Sequence, residues 1–405
     1  MKKLTFLFIL TVYLAFPGCE QKTGQLSDSS FADQKYDDSR LSSIHDFQEQ
    51  LIGEGTTGSN IAMIYKDGAI IYREIVNSGK VGDADITDQT IFPVWSMSKP
   101  ITTVAAMILY EEGRFLLDDP VSMFIPEMKN LTCRDENGII YPCRETLTMR
   151  HILAHRSGWS YDLAYLNGQP VVITDTLFMD LADFAAQVAA CPLDHEPGTT
   201  YTYGINTALV GRVIEVISGQ SFYDFLKERI FDPLEMSHTK FYLTDEERPY
   251  FQPLYRTTPD GATFVRGAYD ELSYEPGTKV QLGGEGLVST PEDYSHFAEM
   301  LVNDGVYRGK RILSPAAIAL MHMKHSDEEL QETGFWNGFS YFHLAIPVKD
   351  GFLSPEGIFG WSGYHNTHFW IDQKNNLFGL FMTRRTPYEQ DIQRRFRRAV
   401  YQAIY

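Results

Sequence analysis

Positive charge is scarce in this sequence. Lys and Arg number 35 against 53 Asp and Glu, a formal charge of −18. A surface with that balance is a poor match for phosphate backbones, so nucleic acid is not an expected partner. Metal-ligand spacing is also missing. There is no His-Glu-x-x-His and no paired Cys-x-x-Cys, so neither zinc nor any other cofactor is expected. The Gly-x-Ser-x-Gly pattern is absent, which excludes the strained strand-to-helix elbow as the source of a nucleophile. No internal repeat is visible, which argues against a solenoid or propeller. Cysteine is rare, with four in 405 residues.

What is present points to a well-filled core. The apolar share is 43%, with 26 Phe and 23 Tyr. The length allows one large domain with an inserted subdomain, or two domains.

The N-terminus has its own pattern. Met1-Lys2-Lys3 is basic, and the apolar run "LTFLFILTVYLAF" follows. At about a dozen residues it is too short to span a bilayer. "FPGC" ends the segment at Cys19. A signal ending on Gly-Cys resembles that of a bacterial lipoprotein, although Phe16 and Pro17 are not the usual choices there. The resemblance implies lipidation of Cys19 and membrane attachment through the lipid. An ordinary secretory signal cut nearby is the alternative. Either way the mature chain is expected outside the cytoplasm, anchored in the cell envelope or periplasmic. Residues 1–19 are thus read as a signal segment and residues 20–40, polar and rich in Ser and Asp, as a flexible tether. In an exported chain, Cys133 and Cys143 across the turn-forming "RDENGIIYP" are placed for a disulfide. Cys191 reads as a buried apolar residue.

Residues 41–405 are read as the folded domain. A helix is predicted from about Leu41 to Ile52. "SNIAMIYKDGAIIYREIV" alternates on both sides of Lys66-Asp67-Gly68, a hairpin signal. The middle of the chain reads as helical, and the last third returns to strands before an amphipathic helix in "QDIQRRFRRAVYQAIY". The pattern suggests an α+β fold: an antiparallel sheet made from both chain ends, flanked by helices, with a mainly helical subdomain inserted at roughly 115–285.

The chemistry starts at "FPVWSMSKPITTVAAMILYEEGRF", residues 92–115. Ser96 and Lys99 are one helical turn apart and share a face. Pro100 fits only the first turn of a helix, so it fixes the helix start close to Ser96. Free backbone N–H groups gather there and stabilise a developing alkoxide. A free lysine is protonated at pH 7, so Lys99 acts as a base only if it is buried and partnered. A capping serine with a surface lysine has the same sequence.

The surroundings favour the catalytic reading. "WSMSKPIT" resembles the Ser-x-x-Lys motif of the penicillin-recognising serine hydrolases, which include β-lactamases, DD-peptidases and β-lactamase-like esterases. Four later stretches resemble that family in its order: "LTMRHILAHRSGW", the region from "PGTTYTYGINTALVG" to "SHT", "GGEGLVSTPEDYSHFAEML" and "FGWSGYHNTHFWIDQ". The resemblance implies Ser96 as nucleophile, Lys99 as its partner and a tyrosine that shares the proton. Tyr203, before Val210-Gly211, fits the esterase spacing, and Tyr201 is the fallback. It further implies that Trp361-Ser362-Gly363 occupies the third motif and binds substrate, and that the Tyr364 N–H joins the Ser96 N–H as an oxyanion hole.

Two departures shape the substrate. Ile205 stands where class C β-lactamases carry an asparagine, and Asn206 is one residue off. Trp361 stands where they carry a carboxylate-binding lysine, and Trp-x-Gly resembles family VIII carboxylesterases. His155 reads as structural, His195 as isolated, and His365 as a candidate for the pocket wall. The expectation is a serine hydrolase that cleaves small-molecule esters through an acyl-Ser96 intermediate. A D-amino-acid peptidase or weak β-lactamase acting on peptide-like substrates is the enzymatic alternative, and an acylatable, non-catalytic sensor domain is the other.

Overall fold

The structure is a computed structural model that describes residues 36–161, 175–258, 261–265, 272–351 and 353–404. The signal segment with Cys19, and residues 20–35 of the tether, lie outside the described residues. Residues 36–40 are docked on the far end of the chain. The Asp37 N–H donates to the Ala403 carbonyl at 2.8 Å, and Tyr36 bridges Ile404.

The antiparallel sheet from both chain ends is present. It has seven strands: β1 (Asn60–Lys66), β2 (Ala69–Val76), β3 (Phe335–Asn337), β4 (Phe342–Leu344), β5 (Phe359–Ser362), β6 (His368–Asp372) and β7 (Leu377–Met382), in the order β3-β4-β5-β6-β7-β1-β2. The hairpin expected at Lys66-Asp67-Gly68 joins β1 to β2, with Asp67 at φ 50° and Gly68 at φ 96°. Strand alternation sorts the side chains onto two faces. Ile61, Met63, Phe369, Ile371 and Leu380 join one core, and Ala62, Ile64, Trp370 and Phe381 join the other. β1, β6 and β7 are buried along their whole length because both faces are covered.

The second core is closed by α1 (Ser42–Gly53) and a C-terminal helix, Gln390–Tyr401, through Ile44, Phe47, Leu51, Phe396 and Val400. These are helical spacings; α1 matches its predicted helix to within a residue, and the C-terminal helix starts at Gln390 as predicted but ends at Tyr401. The first core is covered by α2 (Ser98–Glu111), α3 (Asn206–Ser218) and α4 (Pro291–Val302). α2 is buried from Ser98 to Leu109, so it is a central helix rather than an amphipathic surface one. Cys133 and Cys143 form a disulfide across the pair Thr132–Arg134 and Ile140–Pro142. Cys191 is free and buried.

Candidate active site

Ser96 sits in a short 3-10 turn, Trp95–Met97, that runs directly into α2. Pro100 is the third residue of that helix, inside the first turn, where its missing N–H costs nothing. The residue before Ser96 is strained. Trp95 has φ 46°, a left-handed conformation that a bulky aromatic residue rarely adopts. Its indole N–H donates to His365 Nδ1 at 3.0 Å, and its rings meet Tyr364 and His365 edge-on. His365 is therefore a brace behind Trp95. It is not among the residues lining the cavity.

Lys99 is completely buried. Its ammonium carries three N–H donors, and three acceptors surround it: Ser96 Oγ at 3.2 Å, Tyr161 Oη at 2.6 Å and the Gly284 carbonyl at 2.7 Å. Nζ also lies over the rings of Tyr203 and Tyr161, 4.9 and 5.3 Å from their centroids. A Cβ at position 284 would lie 3.3 Å from Nζ, a tight contact that would press on the ammonium.

Tyr203 is the tyrosine on Ser96, its hydroxyl donating to Ser96 Oγ at 2.7 Å. Tyr201 lines the same cavity with its ring against His155. Tyr161 was missed by sequence reading, although it follows "HRSGWS" by a single position. Burial above all, then the Glu285 charge and Tyr203, hold its phenol well above the usual tyrosine range. Burial, with the nearby glutamates and Tyr203, does the same to Tyr201. Both stay neutral phenols. His155 is structural, as expected. The Gly204 N–H and the Asn206 amide point at its Nδ1, and Ser340 Oγ lies 3.2 Å from its Nε2. Burial, reinforced by the Lys99 charge, keeps it neutral. Asn206 is turned away from the cavity, with its amide donating to the Trp159 carbonyl.

Glu285 was also missed. It is 4% exposed in the cavity wall, and neither carboxylate oxygen has a hydrogen-bond partner among the described residues. Burial raises its carboxyl above the usual range, and the Lys99 ammonium pulls partly against that.

The opposite wall is the end of β5. Trp361, Ser362, Gly363 and Tyr364 all line the cavity. Gly363 is needed for packing. A Cβ there would lie 2.2 Å from Thr367 Oγ1 and 2.5 Å from the Val94 carbonyl, so the strand docks tightly on the turn that carries Ser96. The turn after it closes through Gly363 N–H to Thr367 O and Asn366 N–H to Gly363 O. Neither bond uses the Tyr364 N–H.

Behind Ser362 a buried polar chain begins. Ser362 Oγ is 2.8 Å from His368 Nδ1, and Arg397 Nη1 is 2.9 Å from His368 Nε2. The Arg397 Nε and Nη2 both donate to Asp350. The cavity holds about 920 Å³, and nine of its 19 lining residues are aromatic, with Phe335, Phe342 and Tyr388 joining the residues above. Among the described residues, its charged lining residues are Glu285, Glu329 and Arg397.

The same arrangement of elements occurs in solved structures. EstCE1, a hydrolase with promiscuous acyltransferase activity, superposes with a TM-score of 0.77 over 90% of this chain and 99% of its own, at 24% identity. In sequence, the lovastatin esterase of Penicillium rubens is 29% identical over 70% of this chain and 77% of its own. Esterase EstB of Burkholderia gladioli is 25% identical over 86% of this chain and 91% of its own. The family model Beta-lactamase matches residues 46–403, and the chain belongs to that family.

Proposed function

We propose that this protein is a carboxylesterase that works through an acyl-Ser96 intermediate. One observation carries the reading: Ser96 Oγ is held between Tyr203 Oη at 2.7 Å and Lys99 Nζ at 3.2 Å, at the wall of an aromatic cavity. In the proposed step the Lys99–Tyr203 pair first gives up one proton to solvent; the Ser96 O–H bond then breaks, its proton passes to the vacated position on the pair, and Oγ adds to the ester carbonyl. The Ser96 and Tyr364 N–H groups receive the developing oxyanion, a contribution of several kcal/mol in such sites. The leaving alcohol takes the proton, and water hydrolyses the acyl-serine by the same route in reverse. Tyr203 is the phenol assigned to the proton transfer, because its hydroxyl is bonded to Ser96 Oγ at 2.7 Å.

Charge supports a neutral substrate. Trp361 supplies no positive site, and the Arg397 guanidinium is already bound to Asp350 and His368. A peptidase or β-lactamase reading needs a free cation for the substrate carboxylate. The lovastatin esterase and EstB are relatives named for ester cleavage, and the proposal extends that reaction class to this chain. Fluorophosphonate labelling followed by peptide mass spectrometry tests it: the label is expected on Ser96 and absent in Ser96→Ala, together with p-nitrophenyl ester turnover. Label on another residue refutes the assignment. A single burst of product without turnover would instead support the sensor reading.

The site of action is also a proposal: the chain is exported and held at the membrane by lipid on Cys19. Detergent phase partitioning of the full chain checks this. Wild type is expected in the detergent phase, and Cys19→Ser is expected to be aqueous or unprocessed. Aqueous wild type refutes it.

A further inference from the structure

Ser362 is half-exposed on the cavity wall, and what stands behind it decides where its proton points. Asp350 is 4% exposed and Arg397 2%. The carboxylate accepts from Arg397 Nε at 3.0 Å, from Arg397 Nη2 and from Ser354 Oγ at 2.7 Å. A guanidinium has N–H donors and no acceptor. The 2.9 Å contact between Arg397 Nη1 and His368 Nε2 is therefore a bond in which the arginine donates and Nε2 accepts. His368 is fully buried, and burial with the Arg397 charge holds it well below the usual imidazole range, so it is neutral. A neutral imidazole that accepts at Nε2 carries its proton on Nδ1. The ring also faces the Trp361 carbonyl, which can only accept. At 2.8 Å, Nδ1–H thus donates to Ser362 Oγ, which leaves the Ser362 hydroxyl proton free to point out of the chain.

We infer that Asp350, Arg397 and His368 are positioning residues that fix Ser362 as a hydrogen-bond donor into the cavity, so that a substrate acceptor oxygen is favoured at this wall. Tyr388 lies on the same wall, close enough for its phenol to feel the Ser362 hydroxyl, and a bound acceptor competes with it. The inference deepens the esterase reading and rests on it for the identity of the substrate. The direction of the Ser362 proton does not rest on it.

Asn and Asp at position 368 separate polarity from packing. Asn keeps a donor available to Ser362. Asp has nearly the same shape and pairs with Arg397, but it only accepts, so Ser362 must donate inward. His368→Asn is expected to retain most of the ester kcat/KM, while His368→Asp loses about tenfold, the scale of one hydrogen bond to the reacting substrate. Ser362→Ala is expected to lose about the same, and in that background the Asn and Asp variants become equal. A merely structural role would damage both variants alike in both backgrounds, and that outcome overturns the inference. Histidine side-chain ¹⁵N spectra of the unmutated full chain supply a readout free of activity, with the His368 signals assigned by their loss in His368→Asn, or in His368→Gln if that variant does not fold. The Nδ1–H tautomer is expected, and an Nε2–H tautomer refutes the chain. Should no ester turn over, the esterase reading falls, and the tautomer alone decides the direction of the Ser362 proton.

Discussion

Two serine hydroxyls face one cavity, and the networks behind them differ in kind. Behind Ser96 stand a lysine, two tyrosines and an unpaired glutamate. All four side chains are titratable, and among the described residues none of them is locked in a hydrogen-bonded ion pair as Arg397 is with Asp350. Behind Ser362 stands a chain anchored on an ion pair, in which every direction is settled by the guanidinium. A wall that moves protons needs titratable groups held close together; a wall that orients a substrate needs them locked. The buried ion pair is thus weak evidence for stability, and its use is to fix polarity.

The largest effects are expected where protons move. Lys99→Ala and Tyr203→Phe should each lower ester kcat by about two to four orders of magnitude, the range for loss of general acid–base catalysis. Tyr161→Phe removes an acceptor of the Lys99 ammonium and should lose about tenfold. Single-turnover acylation kinetics check this ranking. If Tyr161→Phe proves as damaging as Tyr203→Phe, the proton is shared over both phenols and the assignment to Tyr203 fails.

The orienting wall sets the next effect. Esters are expected to exceed β-lactams in kcat/KM by at least about two orders of magnitude, since a charge-assisted bond to a carboxylate contributes about 1.5–3 kcal/mol. Trp361 is 9% exposed and packs against Tyr203 with centroids 5.8 Å apart, which offers an apolar surface and no charge. Trp361→Lys should narrow the gap between p-nitrophenyl esters and nitrocefin. Comparable turnover of both substrates by the unmutated protein would defeat the charge argument.

How much of this was legible in the sequence follows from how local each signal is. Ser96 and Lys99 are three residues apart on either side of a helix start marked by proline, so one turn of backbone brings them together. The sheet was legible because alternation and turn residues are local. Tyr203 came from the spacing of a family motif. Tyr161 reaches Lys99 across 62 residues, and Glu285 follows Lys99 by 186 residues; no period or cap announces either. His368 was nearer to hand. The strands pair Ser362 with His368, and a hairpin drawn through "WSGYHNTH" would have put them face to face. Arg397 was not accessible, because "QRRFRR" on an amphipathic helix reads as a solvated face. Its burial depends on Asp350, 47 residues earlier.

The smallest effect concerns Glu285, which belongs to the wall of mobile protons but has no bond to any of them. A buried, unpaired carboxylate is costly in its charged form. Its carboxyl is raised in the folded chain, with burial exceeding the opposing pull of Lys99. For a group raised on folding, the favourable contribution is full below the unfolded value. It is lost as pH climbs through the folded value, because the unfolded chain releases its proton first. The window therefore opens near the ordinary glutamate value, about pH 4.3, and extends upward. Glu285→Gln has nearly the same shape and no charge, so it follows the neutral form at every pH. The difference in Tm, variant minus wild type, is expected to grow between about pH 4 and pH 8, whatever its absolute sign. Thermal melts at matched ionic strength check this. A difference that stays constant over that range would mean that Glu285 keeps its charge on folding, satisfied by Lys99 alone. The corner around Ser96 would then be as firmly locked as the wall behind Ser362.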